Sequence, residues 1–354
     1  MQIYLNDERR LDALKDRLSD VPFPSVDVHR VRALLNRCPP ARETPLVASA
    51  DIASRAGVAS VHVKDERTRM GLGSFKALGA AYVVATDAVN TDADDLTKAL
   101  SGTTYVTASA GNHGMSVAAG ARAFGADAVV YIAETVPEGF ANRLRDNGAT
   151  VVREGEDYAA SMAAALAAAD KNGWHLLSDS SWDGYVEVPH RLMEGYLILM
   201  EETRSALSAP PTHIFLQAGV GGLAGAAAAM AREYWGADPM IVVVEPEVAP
   251  ALIESVRAGK PLYADGPTSS MGRLDCKEPS LIALKGLARD ADAFVTISED
   301  EAAHAMPLLS DAGLATTPSG GAGLAALLSV GEHREALKIG LDSRILTILS
   351  EEPE

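Results

Sequence analysis

The chain alternates between short runs rich in β-branched residues and longer alanine-rich runs with helical spacing. The first pair is SVHVKD (60–65), typical of a strand, followed by the helical run SFKALGAAYVVATDAV (74–89). Later runs typical of strands are TTYVTAS, DAVVYIAE, ATVVREG, THIFLQAG, MIVVVEPE and RILTILS. Strands that alternate with helices form parallel sheets with right-handed crossovers. The pattern therefore predicts an α/β fold.

The length and composition fit a globular protein of one large domain or two closely joined ones. The chain has 354 residues, of which 47% are hydrophobic and 22% charged. No apolar run approaches the roughly 20 residues of a membrane span, and the start is too polar for a secretory signal. Two cysteines, Cys38 and Cys276, cannot form a disulfide framework. We expect a cytoplasmic protein with no membrane partner.

The chain is strongly acidic, with a formal net charge of −17 at pH 7. Proteins that bind nucleic acid normally carry a basic face, and no cluster of Lys and Arg provides one here. We therefore expect no nucleic-acid partner. An anionic ligand would need a locally prepared site.

Three glycine-rich loops offer such sites: TASAGNHGMS (107–116), QAGVGGLAG (217–225) and TTPSGGAGLAAL (316–327). The first two follow strands and lead into helices. Free N–H groups and the helix dipole favour anions at a helix N-terminus, and glycine lets the backbone approach closely. Each loop could equally be a tight strand-to-helix turn.

The second loop also resembles a dinucleotide-binding loop. Gly219, Gly221 and Gly225 follow a strand, and Glu245 ends the next one. The last glycine comes one residue too late for that motif, however. A NAD-dependent oxidoreductase stays as an alternative, and a phosphate cradle is the simpler interpretation.

Lys76 is the most unusual residue, because it stands alone among small neighbours in GLGSFKALGA (71–80). A lysine that forms a Schiff base with pyridoxal phosphate needs a desolvated amine, small neighbours that admit a flat ring, and a separate phosphate site. The surroundings of Lys76 meet the first two needs, and the second loop meets the third.

Three motifs in order, SFKALGA, SAGNHG and GVGGL, resemble the fold type II pyridoxal-phosphate enzymes, the group of threonine dehydratase and tryptophan synthase β. The resemblance covers the chain from about residue 40. Residues 178–196 and 270–295 look most like diaminopropionate ammonia-lyase. The resemblance implies two domains, each with a parallel-rich twisted sheet flanked by helices, and a homodimer. We predict a large domain of residues 1–75 and 155–354 and a small domain of residues 76–154.

The resemblance also assigns the cofactor-binding residues. Lys76 would be the Schiff-base lysine and the base for the α-proton, and Asn112 would hydrogen-bond the phenolic oxygen. Ser350, at the end of RILTILS, would face the pyridine nitrogen. Backbone N–H groups would hold the phosphate, from Gly219, Val220, Gly221, Gly222 and Leu223.

The substrate carboxylate is expected at the first loop, on Ser109, Ala110, Gly111, Asn112 and His113. Asp179 is placed near the substrate β-position, where a carboxylate could hold a β-ammonium. A capping role for Asp179 or for its neighbour Asp183 is the alternative. We expect His113 to be structural rather than catalytic, and Cys276 to be a buried thiol.

One departure from the family concerns stereochemistry. Diaminopropionate ammonia-lyase has an aspartate where this chain has Ala110, and the serine racemases have a serine there. SAGNH is the form of the threonine dehydratases, which act on L-substrates.

Racemase-type enzymes also carry a metal site after the EP dipeptide, where Ala251 stands in place of a second carboxylate after Glu245. We expect no required divalent metal.

Together these features predict β-elimination from a β-substituted L-amino acid, giving a 2-oxo acid and ammonia. L-2,3-Diaminopropionate is the leading substrate. L-Threonine, L-serine or another β-hydroxy amino acid is the alternative. A non-catalytic amino-acid sensor that keeps the fold is a more remote one.

Overall fold

A computed structural model describes residues 1–7, 14, 17–38 and 40–353. Its larger sheet has seven strands in the order β1-β10-β9-β8-β11-β3-β2. They are β1 (Gln2–Leu5), β2 (Leu46–Ala48), β3 (Ser60–Asp65), β8 (His213–Gln217), β9 (Met240–Pro246), β10 (Ala293–Ile297) and β11 (Arg344–Leu349).

The inner strands of this sheet are parallel, as the alternating pattern predicts. The two edge strands differ, because β1 pairs with β10 and β2 pairs with β3 in antiparallel register. Strand β2 is antiparallel to β3 although the helix Ala50–Ala56 joins them, so this connection differs from the parallel crossovers of the inner strands. A parallel-rich α/β fold is confirmed.

A second, four-stranded sheet is parallel throughout, in the order β6-β5-β4-β7. Its strands are β4 (Thr104–Ala108), β5 (Asp127–Ile132), β6 (Thr150–Arg153) and β7 (His175–Leu176). The predicted domain limit at residue 154 cuts through this sheet, since β7 lies beyond it. Two residues are too few to show a strand pattern, which is why β7 could not be predicted. The two-domain division stays a prediction, with the small domain extended to Leu176.

Helices cover both sheets. None among the described residues has the length and apolarity of a membrane span. They are α1 (His29–Leu35), α2 (Ala50–Ala56), α3 (Lys76–Val89), α4 (Asn112–Ala123), α5 (Glu138–Asp146), α6 (Tyr158–Asn172), α7 (Glu187–Gly195), α8 (Leu197–Ala206), α9 (Gly222–Trp235), α10 (Ala251–Ala258), α11 (Leu281–Asp290), α12 (Glu299–Asp311) and α13 (Ala322–Leu328).

Close helix packing fixes the start of α3, where Lys76 lies. A Cβ on Gly195 would come within 2.3 Å of the Leu78 carbonyl oxygen, so only glycine lets α7 approach α3 this closely. On the other side, Ser116 of α4 donates a hydrogen bond to the Lys76 carbonyl at 2.7 Å. The first turn of α3 is thereby held between two helices.

Candidate active site

Lys76 and Asp179 form an ion pair in the cleft between the two sheets. The Lys76 Nζ donates a hydrogen bond to Asp179 Oδ2, and the side chains keep 21% and 18% of their surface exposed. Lys76 is the first residue of α3, and Asp179 follows β7 by three residues. The structure therefore brings together two residues that lie far apart in the sequence.

The pair keeps both groups charged. Burial works to lower the pKa of Lys76, but the charge and hydrogen bond of Asp179, together with the nearby Tyr196 and Cys276, outweigh it, and the pKa is raised above its usual value. Burial likewise works to raise the pKa of Asp179, and the Lys76 ammonium outweighs it, so that this pKa is lowered. A lysine in this state cannot accept a proton until the pair is broken.

Tyr185 braces the segment that carries Asp179. Its hydroxyl accepts a hydrogen bond from the Ser178 N–H at 3.1 Å and donates one to the Leu176 carbonyl at 2.9 Å. The ring stacks on Trp182 with centroids 4.3 Å apart. Asp183 is exposed on the turn between these aromatic residues, so only Asp179 of the two aspartates reaches Lys76.

The loop predicted to receive the substrate carboxylate runs from the end of β4 into α4. Ser109, Ala110, Gly111 and Asn112 are all partly exposed there. The Gly111 N–H donates to Ser109 Oγ at 3.2 Å, and no side chain caps α4. A Cβ added to Gly111 would meet no atom of a described residue within 4 Å, so this backbone faces open space.

His113 lies behind this loop and is buried. Its Nε2 is 2.9 Å from the Leu177 carbonyl, to which it can donate a hydrogen bond. Burial lowers the pKa of His113, which favours the neutral ring. This contact ties the loop to the segment before Asp179, in keeping with the structural role expected of His113.

The second glycine-rich loop leads into α9 and forms a cradle of backbone N–H groups. Gly221 has a φ of +97°, and a Cβ there would come within 2.9 Å of the Ala283 Cβ. A Cβ on Gly219 would come within 2.9 Å of the Cys276 sulfur. No side chain of a described residue caps α9, which leaves the N–H groups of its first turn for an anion. Leu223 lies in that first turn, and Val220 precedes Gly221.

Cys276 is a free thiol beside this cradle. Burial raises its pKa to about 12, so the thiol is protonated at neutral pH. Cys38 is also free.

Ser350 lies directly after β11 and is buried. The Ser350 carbonyl accepts a hydrogen bond from the Phe75 N–H at 3.1 Å. Because Lys76 follows Phe75 in the chain, this bond brings Ser350 close to Lys76. The following residue, Glu351, is also buried. Its Oε2 accepts a hydrogen bond from Asn112 Nδ2 at 2.5 Å. Glu351 is not among the residues predicted from the sequence. The sequence offered one sign of its role: Glu351 directly follows Ser350, the residue expected to face the pyridine ring.

Tyr196 is a second residue of the site that was not predicted. It joins α7 to α8, is 2% exposed, and packs edge-on against Phe75 with centroids 5.0 Å apart. Its hydroxyl has no hydrogen-bond partner among the described residues. Burial raises its pKa to about 12, although the nearby Lys76 opposes the shift. A Cβ on Gly79 would come within 2.8 Å of this hydroxyl, which explains the glycine of SFKALGA.

Glu245 does not serve a dinucleotide. It is 1% exposed, and its carboxyl oxygens accept hydrogen bonds from the N–H groups of Leu252 and Ile253 at 2.7 and 2.8 Å. The carboxyl group thus caps α10 and has no surface to offer a ribose. Over the described part of the chain, no group of three or more His, Cys, Asp or Glu residues could hold a metal ion.

These features fit pyridoxal phosphate. The cleft holds a lysine among small residues, a glycine cradle that side chains would fill, and a buried tyrosine hydroxyl that lacks a partner among the residues described. The cradle provides main-chain donors for a phosphate without a cluster of basic side chains.

Comparison with known proteins agrees with this fit. A family model described as "Pyridoxal-phosphate dependent enzyme" matches residues 38–351. The diaminopropionate ammonia-lyase of Salmonella typhimurium is 34% identical over 299 residues, which cover 78% of this chain and 74% of that protein. The L-serine dehydratase/L-threonine deaminase of Mus musculus is 31% identical over 293 residues, covering 81% and 83%.

A solved structure matches the whole fold. It is diaminopropionate ammonia-lyase from Escherichia coli in complex with an aminoacrylate-PLP azomethine reaction intermediate. The TM-score is 0.86 at 27% sequence identity, and the match covers 99% of this chain and 94% of that one.

Proposed function

The chain belongs to the pyridoxal-phosphate-dependent enzymes, and we propose that it is the lyase of this family that removes ammonia from L-2,3-diaminopropionate. The reaction is a β-elimination whose product hydrolyses to a 2-oxo acid and a second ammonia. The observation that carries the choice of substrate is the partly buried ion pair of Lys76 and Asp179.

Each part of the cofactor has a partner in the cleft. Lys76 Nζ would hold the aldehyde carbon, Asn112 the phenolic oxygen and Ser350 the pyridine nitrogen. The N–H groups of the loop before α9 would hold the phosphate, from Gly219, Val220, Gly221, Gly222 and Leu223. Bound pyridoxal phosphate supplies the electron sink that stabilises negative charge at the substrate α-carbon.

Lys76 would have a second task. Because its Nζ would hold the aldehyde carbon of the cofactor, this amine would lie beside the substrate α-carbon and would serve there as the base for the α-proton. The loop of Ser109, Ala110, Gly111, Asn112 and His113 orients the substrate by its carboxylate.

Asp179 favours a substrate with a second amino group. Lys76 Nζ would no longer be a free ammonium group when it holds the cofactor, and leaving one member of an ion pair unpaired costs up to about 3–5 kcal/mol where the pair is fully buried. The β-ammonium of diaminopropionate restores the pair, whereas the hydroxyl of serine or threonine brings no charge. The carboxylate therefore discriminates between these substrates.

The variant Asp179→Asn tests this proposal. We expect kcat/KM for L-2,3-diaminopropionate to fall about 100-fold, from the loss of a buried charge pair, while kcat/KM for L-serine changes much less. Asp183→Asn is the matched control, since Asp183 is exposed on the same loop and should leave both values unchanged. Equal losses for both substrates would contradict a role in recognising the β-ammonium.

L-Serine and L-threonine remain the second candidate substrates. Ala110 favours them, because it matches the dehydratase form of the loop and offers no carboxylate on that side of the substrate. We expect L-isomers to be used in either case. Faster release of 2-oxo acid from L-threonine than from L-diaminopropionate in the unmodified protein would establish the dehydratase.

We also propose a homodimer and a cytoplasmic location. The family resemblance supports the dimer, and the two free thiols support a reducing compartment. Sedimentation equilibrium tests the first, with a mass of one chain as the contradicting result. Fractionation of the source cells tests the second.

A further inference from the structure

The third glycine-rich loop does not form an anion cradle, although its sequence resembles one. Residues 316–321 instead wrap around Glu351. The Thr316 hydroxyl donates to the Glu351 carbonyl at 2.5 Å, and the Thr317 hydroxyl donates to its carboxylate Oε1. A Cβ on Gly320 would come within 2.8 Å of the Glu351 Cγ, so the loop closes on Glu351 only because glycine stands there.

The Glu351 carboxylate has further partners on its other oxygen. Arg273 Nε lies 2.9 Å from Oε2 and forms an ion pair with it, and Asn112 Nδ2 lies 2.5 Å from the same atom. Glu351 is 4% exposed. A carboxylate that is buried and bonded to a cation and a hydroxyl has a fixed position, which makes it a rigid support for Asn112.

This contact fixes which side of the Asn112 amide faces the carboxylate. A side-chain amide has an NH₂ that only donates and an oxygen that only accepts, and a carboxylate only accepts. The opposite orientation would place two acceptors together in a buried site, which is strongly unfavourable. The NH₂ group is therefore held toward Glu351, and one of its two N–H bonds can still donate elsewhere.

A cofactor phenolic oxygen needs such a donor. We propose that Glu351, held by Thr317 and Arg273, is a positioning residue that orients the Asn112 amide to donate to the phenolic oxygen of pyridoxal phosphate. The inference rests on the cofactor role proposed above for Asn112. It gives the third glycine-rich loop a function at the same site.

The test compares Glu351→Met, which is similar in size but accepts no hydrogen bond, with Glu351→Gln, which keeps one acceptor. Pyridoxal phosphate is titrated into the cofactor-free protein, and the dissociation constant and visible spectrum of the bound cofactor are recorded. We expect Glu351→Met to raise the dissociation constant about tenfold, the effect of losing one hydrogen bond to a charged group, and Glu351→Gln to recover part of the loss. Glu352→Met, at the exposed neighbouring position, should match the unmodified protein.

A double variant separates positioning from a general structural effect. In an Asn112→Ala background, Glu351→Met should cause no further loss of affinity, because its effect passes through the missing amide. An equal additional loss, or unchanged affinity and spectrum in Glu351→Met alone, would overturn the inference. If Glu351→Met does not fold, Thr317→Val carries the same test with a smaller effect. An Asn112→Ala protein that binds the cofactor normally would instead refute the role proposed for Asn112.

Discussion

Replacing Gly221 by alanine tests the phosphate cradle directly. The φ of +97° at Gly221 lies in the left-handed region that glycine adopts freely and alanine does not. The new Cβ would also come within 2.9 Å of the Ala283 Cβ and 3.0 Å of a Leu252 methyl group. Both neighbours are fully buried and cannot move aside.

The expected free-energy cost of Gly221→Ala has two parts. A left-handed conformation costs a residue with a Cβ about 1–2 kcal/mol, and inserting a methyl group into a packed core costs about 1–3 kcal/mol. The sum, about 2–5 kcal/mol, either lowers the free energy of unfolding or is relieved by a shift of the loop. A shift that breaks one hydrogen bond to the phosphate would weaken cofactor binding roughly 10–100-fold.

Two measurements are needed, because a shift of the loop would relieve the strain of the new Cβ. The more the loop shifts, the less the free energy of unfolding falls. Urea unfolding of the cofactor-free protein reports the strain, and titration with pyridoxal phosphate reports the displacement. Gly139→Ala is the control: Gly139 lies on the helix α5 with no atom of a described residue near its added Cβ, so the cofactor affinity should stay the same and the free energy of unfolding should not fall, since alanine is about 0.5–1 kcal/mol more stable than glycine in a helix. A Gly221→Ala protein with unchanged unfolding and unchanged affinity would refute this account of the cradle.

Three further predictions concern two other residues of the site and the buried Glu245. Gly111→Ala should leave the urea midpoint unchanged but weaken substrate binding, measured as KM, because the methyl group enters open space in the cleft. Tyr185→Phe should lower kcat for diaminopropionate about tenfold, since the hydroxyl supports the Asp179 segment through a hydrogen bond on each side, each worth about 1 kcal/mol. The free energy of unfolding should fall as pH rises from about 4.5 to about 8, because burial raises the pKa of Glu245 to about 8 and the folded protein then holds a proton that the unfolded chain releases. Glu245→Gln should remove that slope, as measured by urea unfolding across the pH range.

Each of these has a clear contrary result. An unchanged KM in Gly111→Ala would mean that the substrate does not lie against this loop. A normal kcat in Tyr185→Phe would mean that the packing against Trp182 alone holds Asp179 in place. An unchanged slope in Glu245→Gln would assign the pH dependence to other groups.

The sequence locates several candidate site residues because they follow the carboxyl ends of predicted strands. Asn112, Gly219 and Ser350 follow β4, β8 and β11 almost directly, and ligands bind at the carboxyl ends of parallel strands. The alternating pattern locates those ends within a few residues. The strand pattern alone does not assign the three motifs to one cleft, because β4 lies in the smaller sheet and β8 and β11 lie in the larger one; the family resemblance makes that assignment.

The contacts between side chains could not be predicted in this way. The pairing of Asn112 with Glu351 joins the smaller sheet to the larger one, and nothing in local periodicity encodes it. Tyr196 has the hydrophobic neighbours of an ordinary core residue, and only its position beside Phe75 reveals a hydroxyl without a partner among the described residues. The edge strand β7 could not be predicted for a different reason, because only its pairing with β4 defines this strand of two residues.

The arrangement of charge explains how so acidic a chain can hold an anionic cofactor. Two cationic side chains of the site, Lys76 and Arg273, are each paired with a carboxylate, Asp179 and Glu351. The side chains of these pairs therefore contribute no net charge, and the attraction for phosphate would come from N–H groups at the start of α9. That attraction acts at hydrogen-bond range, so the −17 charge of the whole chain, which is screened over about 8–10 Å at moderate salt, hardly opposes it. Under the function proposed above, Asp179 would lack a free ammonium partner when Lys76 holds the cofactor, and the β-ammonium of the substrate would supply that charge.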